Sequence, residues 1–187
     1  MINELIRKNR SYRRFDEAQR MSKSQISRLI ELARLSPSAR NQQALKFRIV
    51  TEQSECELLF PNLAWAGYIP EWKGPEPGER PSAYIIIVGD KSLGRSFSED
   101  LGISAQSIML GAVSEGYGGC MIGSVKRESV KRDFSLKDDY EVLLVLALGK
   151  PVEKIVIEEI KEGDIRYWRD ESGIHHVPKR GLKDIII

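Results

Sequence analysis

The chain has 187 residues and 41% hydrophobic content, which fits one globular domain with a true core and excludes a short stapled scaffold. Lys plus Arg is 29 against 27 for Asp plus Glu, a formal charge of +2, so there is no general electrostatic reason to expect DNA, RNA or an anionic membrane as partner. Cys56 and Cys120 lie far apart with no second Cys near either, which excludes a disulfide framework and a CxxC site and is the usage expected of a reducing cytoplasm.

The N-terminal MINELIRKNR is charged and amphipathic, without an apolar stretch of signal-peptide length, so a soluble, unexported cytoplasmic protein is expected. Residues 10–15, RSYRRF, crowd Arg10, Arg13 and Arg14 around Ser11, between Tyr12 and Phe15. Residues 22–35 carry Ile26, Leu29, Ile30 and Ala33 at helical spacing, and Ser22 with Gln25 forms a capping-box pattern, so a helix is predicted there. The polar stretch SPSARNQQA follows as a loop, and KFRIVT at 46–51 alternates as a strand should.

Residues 60–82 hold Pro61, Pro70, Pro75, Pro77 and Pro81 with Gly67, Gly74 and Gly78, which excludes a regular element. Trp65, Tyr68 and Trp72 sit within this stretch, as an ordered cover or a dimer contact would require. YIIIV at 84–88 and VLLVLAL at 142–148 read as strands buried on both faces, too short to span a bilayer. Between them, residues 97–115 read as a long helix with small residues over much of its circumference, so close packing all round is expected. The chain ends in basic Lys179 and Arg180 followed by Ile185, Ile186 and Ile187, an apolar end that needs covering.

Arginine suits phosphate because its planar fork donates parallel hydrogen bonds. In an extended segment Ser11 and Arg13 share one side, and Arg10 can reach in from the preceding turn. Taken alone, RSYRRF is more simply a solvated basic turn, and SPSARNQQALKF a helix-to-strand connection. EGYGGCMIGSV is not a dinucleotide fingerprint: Met121 stands where the third glycine belongs, and the glycines follow a helix rather than a strand. They do allow a flat ligand to approach the backbone. His175 and His176 complete no metal set, so no metal is expected, and Cys120 has no local partner base that would make it a nucleophile.

Four segments in order resemble the nitroreductase family of flavoproteins: RSYRRF, SPSARNQQALKF, EDLGISAQSIMLGAVSEGYGGCMIG at 99–123 and LALGKP at 146–151. The resemblance implies an α+β fold of three layers, with a mixed, mostly antiparallel sheet flanked by helices. It implies a single FMN-binding domain over 1–187, and an intertwined homodimer whose C-terminal segments cross to the partner. It also implies tightly bound, non-covalent FMN. Arg10, Ser11 and Arg13 would hold its phosphate and pyrimidine edge, with Lys179 and Arg180 completing the phosphate site. Met121, Ile122 and Gly123 would line the ring, one of their N–H groups meeting N5, and Pro37, Ser38 and Asn41 would come from the other subunit.

No protein nucleophile is implied, because the flavin N5 carries the chemistry. The implied reaction is ping-pong hydride transfer from NAD(P)H to nitroaromatics, quinones or related acceptors, with Trp65, Tyr68 and Trp72 contacting the substrate. A specialised flavin reductase with a non-nitro acceptor and a non-catalytic flavin-storing dimer remain alternatives. The chain departs from the family pattern in Ala44-Leu45, where Pro-Trp is usual, in Asn9, where Arg is frequent, and in residues 60–82, which do not resemble the longer helical cover of well-known members.

Overall fold

A central antiparallel sheet organises the chain in the computed structural model, which describes residues 1–187. The elements in order are α1 (Ile2–Lys8), β1 (Phe15–Asp16), α2 (Lys23–Leu35), β2 (Leu45–Val50), α3 (Gln53–Leu59), β3 (Ala83–Asp90), α4 (Ser98–Ser114), β4 (Gly118–Ile122), α5 (Arg127–Asp133), β5 (Tyr140–Pro151), β6 (Ile155–Glu159), β7 (Trp168–Arg169) and β8 (His175–Lys179). The central sheet runs β1-β5-β3-β2, and β4 pairs with β5 alongside β1. All these pairs are antiparallel. A parallel bridge between Ser11 and Gly119 makes the sheet locally mixed. A second, three-stranded sheet, β6-β8-β7, is built from the chain after Pro151.

The two apolar runs become the sheet's centre because side chains alternate faces along a strand. Tyr84, Ile86 and Val88 of β3 go to one side with Val145 and Ala147 of β5, where they meet Cys56 and Leu59 of α3, Val130 of α5, and Trp65. Ala83, Ile85 and Ile87 go to the other with Leu146 and Leu148, against Ile26, Leu29 and Ala33 of α2 and Ala105, Ile108, Met109 and Ala112 of α4. Two apolar faces need two covering layers, and the three-layer architecture follows. Each fully buried Ile or Leu here contributes about 1.5–3 kcal/mol.

The helix at 22–35 starts as its sequence requires: the Gln25 N–H donates to Ser22 Oγ and the Ser22 N–H to Gln25 Oε1. It lies close against α4 at Gly111, where a Cβ would come within 2.3 Å of Leu32 Cδ1 and 3.1 Å of Leu29 Cδ2. The opposite side of α4 is open: a Cβ on Gly102 would meet nothing, and Ile103 is 39% exposed. Within one chain the small residues of this helix serve close packing on one face.

Residues 60–82 form no strand or helix beyond a single 3-10 turn, Phe60–Asn62. They are nevertheless packed. Trp65 is 8% exposed within the core, 5.8 Å from the Phe60 ring and 6.5 Å from Trp72. No helix is long and apolar enough to cross a membrane.

Candidate functional site

The arginine segment is placed by two neighbours. After α1 ends, Ser11 bridges to Gly119, and the Tyr12 N–H donates to the Gly119 carbonyl at 2.9 Å. Gly119 is itself required by its pairing with β5, because a Cβ there would lie 2.3 Å from the Ala147 carbonyl oxygen. From the other side, the N–H groups of Arg13 and of Arg14, the latter at 3.2 Å, both donate to Glu153 Oε1.

The arginines then open onto a cavity of about 360 Å³ lined by Asn9, Arg10, Ser11, Arg13, Gln106, Met109, Met121, Tyr167, His175, Val177 and Lys179. Three cations and no carboxylate face it. None of Arg10, Arg13 and Lys179 is in an ion pair. A concave site with uncompensated guanidinium and ammonium groups is suited to a phosphate or another compact anion.

Arg13 is buried. Its Nη1 donates to the Ser11 carbonyl at 3.2 Å and to His175 Nε2 at 3.3 Å, and its guanidinium lies 4.9 Å from the centre of the Tyr167 ring. Burial first, then the Arg13 and Arg169 charges, hold His175 down to about 4, so its imidazole is neutral near pH 7. A guanidinium only donates, so His175 Nε2 accepts and the proton sits on Nδ1. That Nδ1 is buried without a partner, as is Arg10 Nε. Two orphaned buried donors beside a cationic cavity fit a ligand rich in acceptors.

Met121 at the β4 end is exposed and lines this cavity, whereas Ile122 points into the core and Gly123 is exposed with open space beside it. Arg180 is exposed just outside. Pro37 and Ser38 line a different cavity, of about 560 Å³, between α2 and β2. The loop carrying them is held by Asp100, whose carboxylate accepts the Ala39 N–H at 2.8 Å. It contains left-handed residues at Arg40, Asn41 and Gln43, with φ of 53°, 55° and 52°. Such conformations are costly outside glycine and collect at ligand-binding loops.

None of Trp65, Tyr68 and Trp72 lines the arginine cavity. Trp65 is in the core, Trp72 is covered by the Arg169 guanidinium at 4.0 Å, and Tyr68 alone is exposed. Tyr68 reaches the cavity through Tyr167, whose hydroxyl accepts the Tyr68 N–H at 3.4 Å and whose ring lies 5.0 Å from that of Tyr68 and 5.1 Å from His175. Sequence reasoning missed Tyr167 and Glu153, in the charged stretch after Pro151 where no motif stands out, and weighed His175 only as a metal ligand. His176, beside His175, turns the other way, between Glu158 Oε1 at 2.5 Å and Asp170 Oδ2 at 3.2 Å. Cys120 is buried, and burial pushes its thiol up, away from the thiolate form a nucleophile needs.

A family model described as the nitroreductase family matches residues 6–150. In Bacillus subtilis strain 168, the protein named "Putative NAD(P)H nitroreductase YodC" is 23% identical over 180 residues, covering 80% of this chain and 89% of the relative. Among solved structures, a "putative nitroreductase in complex with FMN" from Exiguobacterium sibiricum 255-15 is similar in fold, with a TM-score of 0.70 at 21% identity, over 90% of this chain and 97% of its own. An "FMN-dependent Nitroreductase" from Clostridium difficile R20291 gives a TM-score of 0.67 at 21% identity, over 82% and 89% of the two chains.

Proposed function

The chain belongs to the nitroreductase family, and from that premise we propose that it is a cytoplasmic, NAD(P)H-dependent FMN oxidoreductase forming one flavin-binding domain over residues 1–187. It oxidises NAD(P)H and reduces an electron-poor acceptor, such as a nitroaromatic or quinone, in alternating half-reactions. FMN supplies reversible hydride acceptance and release at N5. The observation that carries this reading is the convergence of Arg10, Ser11, Arg13, Met121 and Lys179 on one cavity without a carboxylate, from three separate stretches of chain.

Within this reading Arg10 and Lys179, with Arg180 beside them, hold the phosphate. Ser11 and Arg13 hold the pyrimidine edge, where a positive charge favours the reduced cofactor. The exposed backbone at Met121 to Gly123 offers N–H groups to the ring. Tyr167 and His175, with Tyr68 behind them, form the aromatic wall against which a planar acceptor packs. Trp65 and Trp72 act on the acceptor only through the packing of residues 60–82.

The homodimer reading rests on apolar side chains exposed on helices that pack on one another: Ile2 and Ile6 of α1, Leu32 and Leu35 of α2, and Ile103 of α4. Ile185, Ile186 and Ile187 are exposed as well. Edge strand β2 is free on one side, and a C-terminal segment from a second copy would cover it. Pro37, Ser38 and Asn41 would then complete the partner's flavin site. The test is to titrate the purified protein with FMN and follow quenching of flavin fluorescence. Saturable binding, weakened by Arg13→Ala and by Lys179→Ala, supports the reading; absence of FMN uptake overturns it.

A further inference from the structure

The geometry points to Glu153 as a positioning residue that sets the direction of Arg13 into the cavity and offsets its charge there. This inference rests on the flavin reading above. The Glu153 side chain is 1% exposed. One of its carboxylate oxygens accepts the consecutive main-chain N–H groups of Arg13 and Arg14, and the other accepts Arg169 Nη2 at 3.1 Å. The Arg169 guanidinium in turn lies over the Trp72 ring, 4.0 Å from its centre.

Those two N–H groups have no main-chain acceptor. The Tyr12 N–H goes to Gly119 and the Phe15 N–H to the Glu79 carbonyl, and Arg14 enters the sheet only through its own carbonyl, which accepts from the Val152 N–H. Glu153 therefore fills the break between the β4 bridge and the β1-β5 pair. Two donors converging on one oxygen fix the two peptide planes that flank the Arg13 Cα, and with them the direction in which the Arg13 side chain leaves the backbone. A misdirected arginine cannot make the near-linear hydrogen bonds that a charged ligand needs.

The charge matters separately from the hydrogen bonds. A neutral amide oxygen could also accept the N–H groups, but a buried carboxylate next to Arg13 lowers the positive potential at the cavity, and Arg169 partly restores it. In a low-dielectric site such balances are felt by any group that changes charge. Reduction of a flavin adds negative charge, so the Glu153–Arg169 pair sets how readily cofactor held by Arg13 is reduced.

The experiment uses full-length protein loaded with FMN. Glu153→Ala is expected to weaken FMN binding tenfold or more, with Glu153→Gln restoring affinity to within about threefold of wild type because it keeps the acceptor. The bound-flavin midpoint potential should move positive in Glu153→Gln and negative in Arg169→Met, the two variants bracketing wild type. A residue that merely supports the fold would lower thermal stability and leave the potential where it was. Wild-type affinity in Glu153→Ala, or potentials that stay fixed or move the same way in Glu153→Gln and Arg169→Met, overturn the inference. If Glu153→Ala does not fold, the two potentials decide. Failure of wild-type protein to bind FMN is seen before any variant is made, and it strikes the flavin reading instead.

Discussion

Mild acid should destabilise the flavin-free protein through His175. The imidazole is 1% exposed, and burial together with Arg13 and Arg169 holds it down to about 4 in the folded state, whereas an unfolded histidine titrates near about 6.5. Between those values the unfolded chain binds a proton that the folded chain refuses. The stability attached to His175 is thus complete above about pH 6.5 and is lost as the pH falls through the window. The full separation corresponds to about 3 kcal/mol, of which about 2 kcal/mol is gone by about pH 5. The neighbouring His176 has the opposite sign, since Asp170 and then Glu158 raise its value; its contribution is complete below about pH 6.5 and is lost as the pH rises through the folded value. His175→Gln keeps an acceptor for Arg13 and leaves His176 and every carboxylate in place, so the difference between variant and wild type isolates one group. Urea unfolding of both proteins near pH 7.5 and near pH 5 should show that difference shift by about 2 kcal/mol in favour of the variant in acid. The same difference at both pH values would refute a neutral, buried His175.

Arg13→Ala should weaken FMN binding by about tenfold to a hundredfold, the equivalent of a charge-assisted contact of about 1.5–3 kcal/mol, as read by fluorescence titration; unchanged affinity would remove Arg13 from the site. Trp65→Ala should cost about 3–5 kcal/mol of stability as a core truncation, a fall of roughly 6–20 °C in Tm, whereas Tyr167→Ala should leave Tm within a few degrees and raise the acceptor KM. Steady-state kinetics and thermal melts on both would separate wall from core, and the reverse pattern would restore Trp65 as the substrate contact. Removing Leu182 to Ile187 should shift the protein toward monomer on a sizing column with light scattering, and an unaltered dimer would contradict a crossing C-terminal segment.

The elements that the sequence announced are those whose cause is local or periodic. Ser22 and Gln25 mark a helix start because capping is decided within one turn, and the buried runs at 84–88 and 142–148 mark strands because both their faces are covered. The antiparallel order around β5 is a long-range matter that no window of residues contains. The same division runs through the site. Arg10, Ser11 and Arg13 are legible as a cluster, and Met121 and Lys179 through a family pattern, but the convergence of all five on one cavity depends on β4 and β8 being brought to the end of α1. Trp65 and Trp72 show the limit most clearly: composition marks them as large aromatics in an irregular segment, yet whether such a ring faces a cavity or the core depends on Phe60, Arg80 and Arg169, which hold this segment through aromatic and cation–π contacts. Glu153 is one carboxylate in a charged stretch and becomes distinctive only when two main-chain N–H groups are seen to end on it.

The most direct test of the central claim is anaerobic spectroscopy of the purified protein after incubation with FMN and gel filtration. The account predicts a yellow protein retaining about one FMN per chain, bleached by NADH or NADPH and recoloured by a nitroaromatic or a quinone. A colourless protein that releases all added FMN would contradict it at the root, and a yellow protein that neither nicotinamide bleaches would leave a flavin carrier in place of the oxidoreductase.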